Sequence, residues 1–249
     1  MISDGMADVL RSLRHDDGSV LATACARALG VDGVAVSLLV TAGQGAQPEP
    51  EPLWRSPGIA ADFEELQFTL GVGPGLDAAH SGTAVVAPDL AAVRADRWPG
   101  LPAEALRIGV AGAYCFPLGL GAIRLGVLSA VTSRAGDSVP EQRFADALAL
   151  AAALTAQLLE RDGNPPAALE TAATVPGEIH RAVLHQATGM VSVQLDVSLA
   201  DALLRLRAFA YSRDVPLGEV AGDVVARRLR FNDDNDGTDG PLSPGGGKG

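Results

Sequence analysis

Towards the C-terminus, apolar residues return at helical spacing in three successive runs. Ile179, Val183, Gln186 with Ala187, and Met190 mark the first; Leu199, Leu203, Leu206 and Ala210 the second; Leu217, Val220, Val224 and Val225 the third. Three short amphipathic helices are therefore expected over 178–231, with breaks near Leu195 to Val197 and near Asp214 to Val215. Ser198 with Asp201 three positions on has the spacing of a capping box, and Pro216 suits a first helical turn, where its missing N–H would be unpaired in any case.

Upstream, helical and strand-like stretches alternate. Met6 to Arg14 and Ser19 to Leu29 read as helices separated by Asp16-Asp17-Gly18. Gly33 to Thr41 is short, apolar, rich in β-branched residues and bounded by glycine, which fits a buried strand. After a loop rich in Gly and Pro, Leu53 to Ser56 reads as its partner strand and Ile59 to Leu66 as a short helix. Gln67 to Leu70 reads as strand leading into Gly71-Val72-Gly73-Pro74-Gly75, with helical turns from Leu76 to Ser81 and a strand from Thr83 to Ala87. Arg97-Trp98-Pro99 opens a helix that ends near Ile108. Ala111 to Leu118 and Ile123 to Thr132, joined by Gly119-Leu120-Gly121, make a hairpin, and a helix rich in Ala and Leu from Pro140 to Arg161 closes the region. The pattern predicts an α+β domain: a long antiparallel sheet with helices on one side and at both ends. Asp162-Gly163-Asn164-Pro165-Pro166 stops the closing helix, since neither proline can continue it. The expected division is a domain over 8–162, a linker over 163–176, a three-helix domain over 177–232, and an acidic, Gly-rich, disordered tail over 233–249.

Composition narrows the function. A chain of 249 residues with 47% apolar content can bury a sizeable core. Its formal charge of -11 argues against non-specific coating of nucleic acid, which needs a broad positive surface, so any such contact must be local. Cys25 and Cys115, flanked by small or apolar residues, fit reduced buried thiols better than a disulfide. Neither an export signal nor a membrane-spanning run is read from the sequence, and a cytoplasmic location is expected.

His185-Gln186-Ala187-Thr188-Gly189-Met190, the Val197-Ser198 helix start, the run Ala202 to Ala210 and Pro216-Leu217-Gly218-Glu219-Val220-Ala221 together resemble an ANTAR domain, the three-helix RNA-binding output module of bacterial transcription antitermination regulators. The resemblance covers the stretch in order and spacing; it departs at Thr188, where many relatives carry lysine. Gly71-Val72-Gly73-Pro74, Asp89-Leu90, Arg97-Trp98-Pro99, Gly109-Val110, Phe116-Pro117-Leu118 and Leu125-Gly126-Val127-Leu128 resemble a GAF domain of the kind found ahead of ANTAR modules in actinobacterial regulators. That resemblance implies a sensor or dimerisation domain. Relatives often carry an acidic residue and a cysteine around the Gly-Pro pair; here Val72 and Gly75 stand there, so any role of that cysteine is absent.

The candidate RNA-binding residues are Arg181, His185, Gln186, Thr188, Gly189, Arg205, Arg207, Arg213, Arg227 and Arg228. Guanidinium forks suit phosphates, small residues such as Gly189 and Ala187 allow close approach, Thr188 and Gln186 can bond base edges, and His185 can stack on a base. Charge pattern alone equally fits cations that complement a helix C-terminus, and Ala and Gly equally serve helix packing. His180 and His185 lie five apart, against the three or four that two metal ligands on one helical face prefer, so no metal is expected. The Gly71–Gly75 stretch fails as a dinucleotide fingerprint, because Pro74 removes a backbone donor and the third glycine is misplaced. No nucleophile with an ordered base appears, so no enzymatic activity is expected, and no cofactor is evident beyond room for an unidentified small ligand in the GAF-like pocket. The expected function is RNA binding at hairpin loops in mRNA, gated by the sensor domain, in a homodimer that answers an upstream signalling protein or ligand. The alternative is a regulator whose helical domain binds a protein partner.

Overall fold

The computed structural model describes residues 2–13, 18–40, 48–136, 139–160, 176–213 and 215–232. The expected linker up to 175 and the expected tail from 233 lie outside the described residues. Contacts divide the chain into two compact units, Met1–Thr174 and Val175–Gly249.

The first unit is built on five antiparallel strands: β1 (Gly33–Val40), β2 (Glu49–Arg55), β3 (Val85–Ala87), β4 (Gly112–Leu120) and β5 (Ile123–Thr132). Their order in the sheet is β2-β1-β5-β4-β3. β5 is the central strand, paired with β1 from Gly33↔Val131 to Leu38↔Gly126 and with β4 from Gly112↔Thr132 to Leu120↔Ile123. The β4–β5 turn is shorter than the sequence suggested: Gly119 and Leu120 remain in the ladder, and Gly121, at φ 60, turns the chain with Ala122. Positive φ at that position matches the right-handed twist of the flanking strands.

Alternation along the strands feeds two cores, and here the structure corrects the sequence reading: helices cover both faces of the sheet. Val34, Val36, Tyr114, Phe116, Leu118, Leu128 and Ala130 face one core with α1 (Asp4–Ser12), α2 (Gly18–Leu29) and α6 (Glu141–Glu160). Ala113, Cys115, Val127 and Val131 face the other, with α3 (Ile59–Leu70), α4 (Pro74–Ser81) and α5 (Leu101–Arg107). Strands buried on both faces read as continuous apolar runs, which hides the second helical layer from a search for period two. At the N-terminus Ser3 caps α1 through the Met6 N–H, and its own N–H donates to Asp146 of α6 at 2.8 Å.

α3 runs to Leu70, through the four residues expected as strand. Gly71 ends it in the left-handed conformation, and Pro74 opens α4 after Gly73 at φ 153. The glycine-rich stretch thus links two helices, a further reason it cannot be a strand–loop–helix phosphate cradle. A side chain at Gly73 would overlap Gln67, whose Oε1 accepts from the Gly75 N–H at 2.7 Å.

The second unit has three packed helices, α7 (Pro176–Leu195), α8 (Leu199–Arg213) and α9 (Leu217–Val225), with α7 touching both others. Asp196, at φ 52, turns the chain after α7, and Ser198 caps α8: its Oγ accepts from the Asp201 N–H at 3.1 Å and donates to the Asp201 carboxylate at 2.7 Å. The last helix is shorter than expected. It ends at Val225, with Arg227 at φ 60 and the N–H groups of Arg228 and Leu229 both turned back on the Asp223 carbonyl. Arg227, Arg228 and Arg230 therefore follow the helix and do not form its last turn.

Candidate nucleic-acid interface

The buried side of α7 is Leu184, Ala187, Thr188, Val191 and Leu195; of the face expected from periodicity, Ala187 is buried, Val183 and Met190 are half-buried and Gln186 is exposed, so the stripe is turned towards Leu184 and Val191. Successive residues stand about 100° apart on a helix, so a partial turn of the stripe brings neighbours of the expected positions inside. Thr188 consequently points inward, 7% exposed, and its hydroxyl donates to the Leu184 carbonyl at 2.8 Å. This placement does not fit a base-edge contact by that hydroxyl. His185 and Gln186 are exposed on the opposite side, and Gly189 is half-buried with open space where a Cβ would stand. The side chain of Arg181 lies outside the described residues.

On α8, Ala202, Leu206 and Ala210 are buried. Arg205 and Arg207, expected as a cluster, stand two positions apart, about 200° around the axis, so they do not share a face. Arg205 is exposed and has no hydrogen-bond or carboxylate partner among the described residues, whereas Arg207 is half-buried. Arg213 lies over the Phe209 ring with its guanidinium carbon 5.1 Å from the centroid. Beyond α9, Arg228 pairs with Asp223 through Nε at 2.8 Å and Nη2 at 2.6 Å, an exposed pair of little energetic weight. Arg227 and Arg230 are exposed and without a carboxylate partner among the described residues. Among the described residues the geometry thus leaves three unneutralised guanidiniums, at Arg205, Arg227 and Arg230, on one small helical unit. Periodicity also missed Leu204 and Tyr211, which lie outside the buried stripe of α8 and face solvent.

In the first unit the α3–α4–α5 layer is filled by Phe63, Leu90, Trp98 and Leu101, all at or below 1% exposure. Within it lies a buried polar cluster: Ser37 Oγ donates to Glu64 Oε2 at 2.6 Å, and Gln67 Nε2 to Glu64 Oε1 at 3.3 Å. The neighbouring Cys115 thiol is pushed up from its ordinary value by burial first and then by the Glu64 charge. Trp98 donates from Nε1 to Asp77 at 3.0 Å, so Trp98, like Tyr114 and Phe116, is a core side chain. A cavity of about 10 Å³ between Leu29, Phe116, Val139 and Arg143 lies on the other face of the sheet and has room for about one water. His80 is exposed, with Nε2 3.0 Å from the Pro48 carbonyl. Among the described residues no group of three or more His, Cys, Asp or Glu is placed to hold a metal, and no single helix is long and apolar enough to cross a membrane.

No family model matches the chain, and no curated protein does. Among solved structures it is similar to the GAF domain of a phosphoenolpyruvate-protein phosphotransferase from Coxiella burnetii, at 15% identity, covering 64% of this chain and 96% of that one with a TM-score of 0.47. It is also similar to a domain of a two-component sensor histidine kinase protein from Sinorhizobium meliloti 1021, at 15% identity, 65% and 95% coverage and a TM-score of 0.45. The GAF domain of the Acinetobacter phosphotransferase follows at 14% identity, 63% and 92% coverage and a TM-score of 0.44.

Proposed function

We propose that this chain is a regulator in which a GAF-like unit senses a ligand or partner and an ANTAR-like three-helix unit binds hairpin loops in nascent or leader mRNA, controlling termination or translation. The observation that carries the reading is the set of exposed, unpaired guanidiniums, Arg205, Arg227 and Arg230, on a compact helical unit of a chain whose formal charge is -11. Cations left without carboxylates in an acidic protein are available to phosphates. His185, Gln186 and Gly189, outward or open on α7, belong to the same reading; Thr188 supports the packing of α7 instead. Homodimerisation is part of the proposal, because Leu148, Ala152, Ala156 and Leu159 form an exposed apolar stripe along α6.

The test is binding of the full chain to a hairpin RNA across a salt series. Log affinity falls linearly with log salt, and Arg205→Ala lowers the slope by about one. A slope indistinguishable from zero would overturn the RNA reading. A second reading, a helical unit that binds a protein partner, is favoured by one observation, the 84% exposure of Val193 on α7.

A further inference from the structure

The chain has six Phe, two Trp and two Tyr, all among the described residues, and Tyr211 alone is exposed. Its exposure is 71%, and it stands on α8, the helix that carries Arg205. Folding leaves such a ring in water only where packing does not claim it, and every other Phe, Trp and Tyr ring in this chain is buried or half-buried. Leu204, 63% exposed, is seven positions earlier and so lies on the same face, about 10 Å along the axis, with exposed Ala208 between. Arg205 adjoins Leu204, and the single carboxylate of α8, Asp201, one turn before them, is engaged by Ser198 and not by Arg205.

We infer that the Leu204–Tyr211 face of α8 is a stacking platform for unpaired nucleobases of an RNA loop, with the Tyr211 ring against one base, Leu204 against a neighbour and Arg205 on the phosphate backbone. The inference rests on the RNA reading above and deepens it from phosphate binding to loop recognition. An apolar strip alone would suit a protein partner equally. The adjoining unpaired guanidinium and the absence of a second carboxylate on α8 favour a polyanion that also offers flat apolar faces, which a single-stranded loop does and a duplex does not. A ring held on a rigid helix takes any base by its π-face, so the platform selects unpaired structure before sequence.

The test uses the full chain, a synthetic RNA hairpin with 2-aminopurine in its loop, and the same stem closed as a blunt duplex. Wild-type protein binds the hairpin more tightly than the duplex and quenches the loop fluorophore. Tyr211→Ala weakens hairpin binding about 5- to 150-fold and abolishes the quench, Tyr211→Phe keeps both, and the salt slope of Tyr211→Ala equals that of wild type because no phosphate contact is removed. Tyr211→Leu, which keeps apolar bulk without a ring, gives the same loss of quench and controls for folding. If Tyr211→Ala binds and quenches as wild type does while Arg205→Ala still lowers the slope, the platform is overturned and the RNA reading stands. Equal affinity of wild type for hairpin and duplex also overturns the platform. If wild type binds neither RNA and Tyr211→Ala instead loses a protein partner, both fall.

Discussion

The ring of Phe231 meets the ring of Phe209 edge to face, with 5.4 Å between centroids and 65° between planes. The Phe231 N–H also donates to Gln194 Oε1 at 3.0 Å, so the residue after the arginine-rich turn is anchored to both α7 and α8. This anchor fixes where Arg227, Arg228 and Arg230 stand, although none of them is helical.

Removing the anchor tests its weight. Phe231→Ala should destabilise the second unit by about 3–5 kcal/mol, the usual cost of deleting a buried aromatic ring. The measurement is denaturant unfolding of the full chain followed by circular dichroism, where the helical signal of the second unit is lost at lower denaturant. RNA affinity falls with it, since the guanidiniums lose their fixed positions.

Thr188 separates packing from recognition. Its hydroxyl is turned to Leu184 inside the unit, so Thr188→Val should leave hairpin affinity within about twofold, with a stability change of about 1 kcal/mol or less from the lost back-bond. Gln186→Ala, on the exposed side of α7, should weaken binding with stability unchanged. A large affinity loss at Thr188→Val with intact folding would return that residue to the interface.

These two positions also show how far the sequence could be read. The starts of the second and third C-terminal helices were legible because Ser198 and Pro216 mark them by chemistry that needs no tertiary context. The inward face of α7 was not, because Val183, Leu184, Ala187, Thr188, Met190 and Val191 spread apolar or small residues over most of the circumference and packing against α8 and α9 chose the stripe. In the sheet, β4 and β5 were plain as a hairpin. The α3–α4 join was misread because Gln67-Phe68-Thr69-Leu70 has strand-like composition while Glu64 and Gln67, three apart on a helix, are tied together in the core. The unpaired state of Arg205 is a three-dimensional fact: Asp201 sits four residues before it, at ion-pair spacing, and is used by Ser198 instead.

The cysteines offer a probe of the first unit. Burial pushes the Cys25 thiol up to about 12, and burial with the nearby Glu64 charge pushes Cys115 up as well, so neither is a thiolate near neutral pH. Both should be inert to a disulfide-exchange reagent at pH 8 in the folded protein and react together when the first unit unfolds. Fast reaction of either thiol under native conditions would contradict the burial described for it.

Asp32 gives the first unit a defined acid sensitivity. It precedes β1, and its carboxylate accepts from the Ser133 N–H at 2.7 Å and from the Ser133 hydroxyl at 2.9 Å, just past the end of β5. The backbone bond first, then the hydroxyl, hold its pKa below the ordinary value, and Arg134 and Arg143 add to this. A folded-state pKa below the unfolded one means the ionised form stabilises the fold: the contribution is complete above about pH 4 and is lost as pH falls through the lowered value. Asp32→Ala should therefore be less stable than wild type at pH 7, and the gap should close as the pH drops below about 4, because wild type then loses what the variant never had. Denaturant midpoints of the two proteins across an acid pH series measure it; parallel curves would show that Asp32 does not couple the strand ends through its charge.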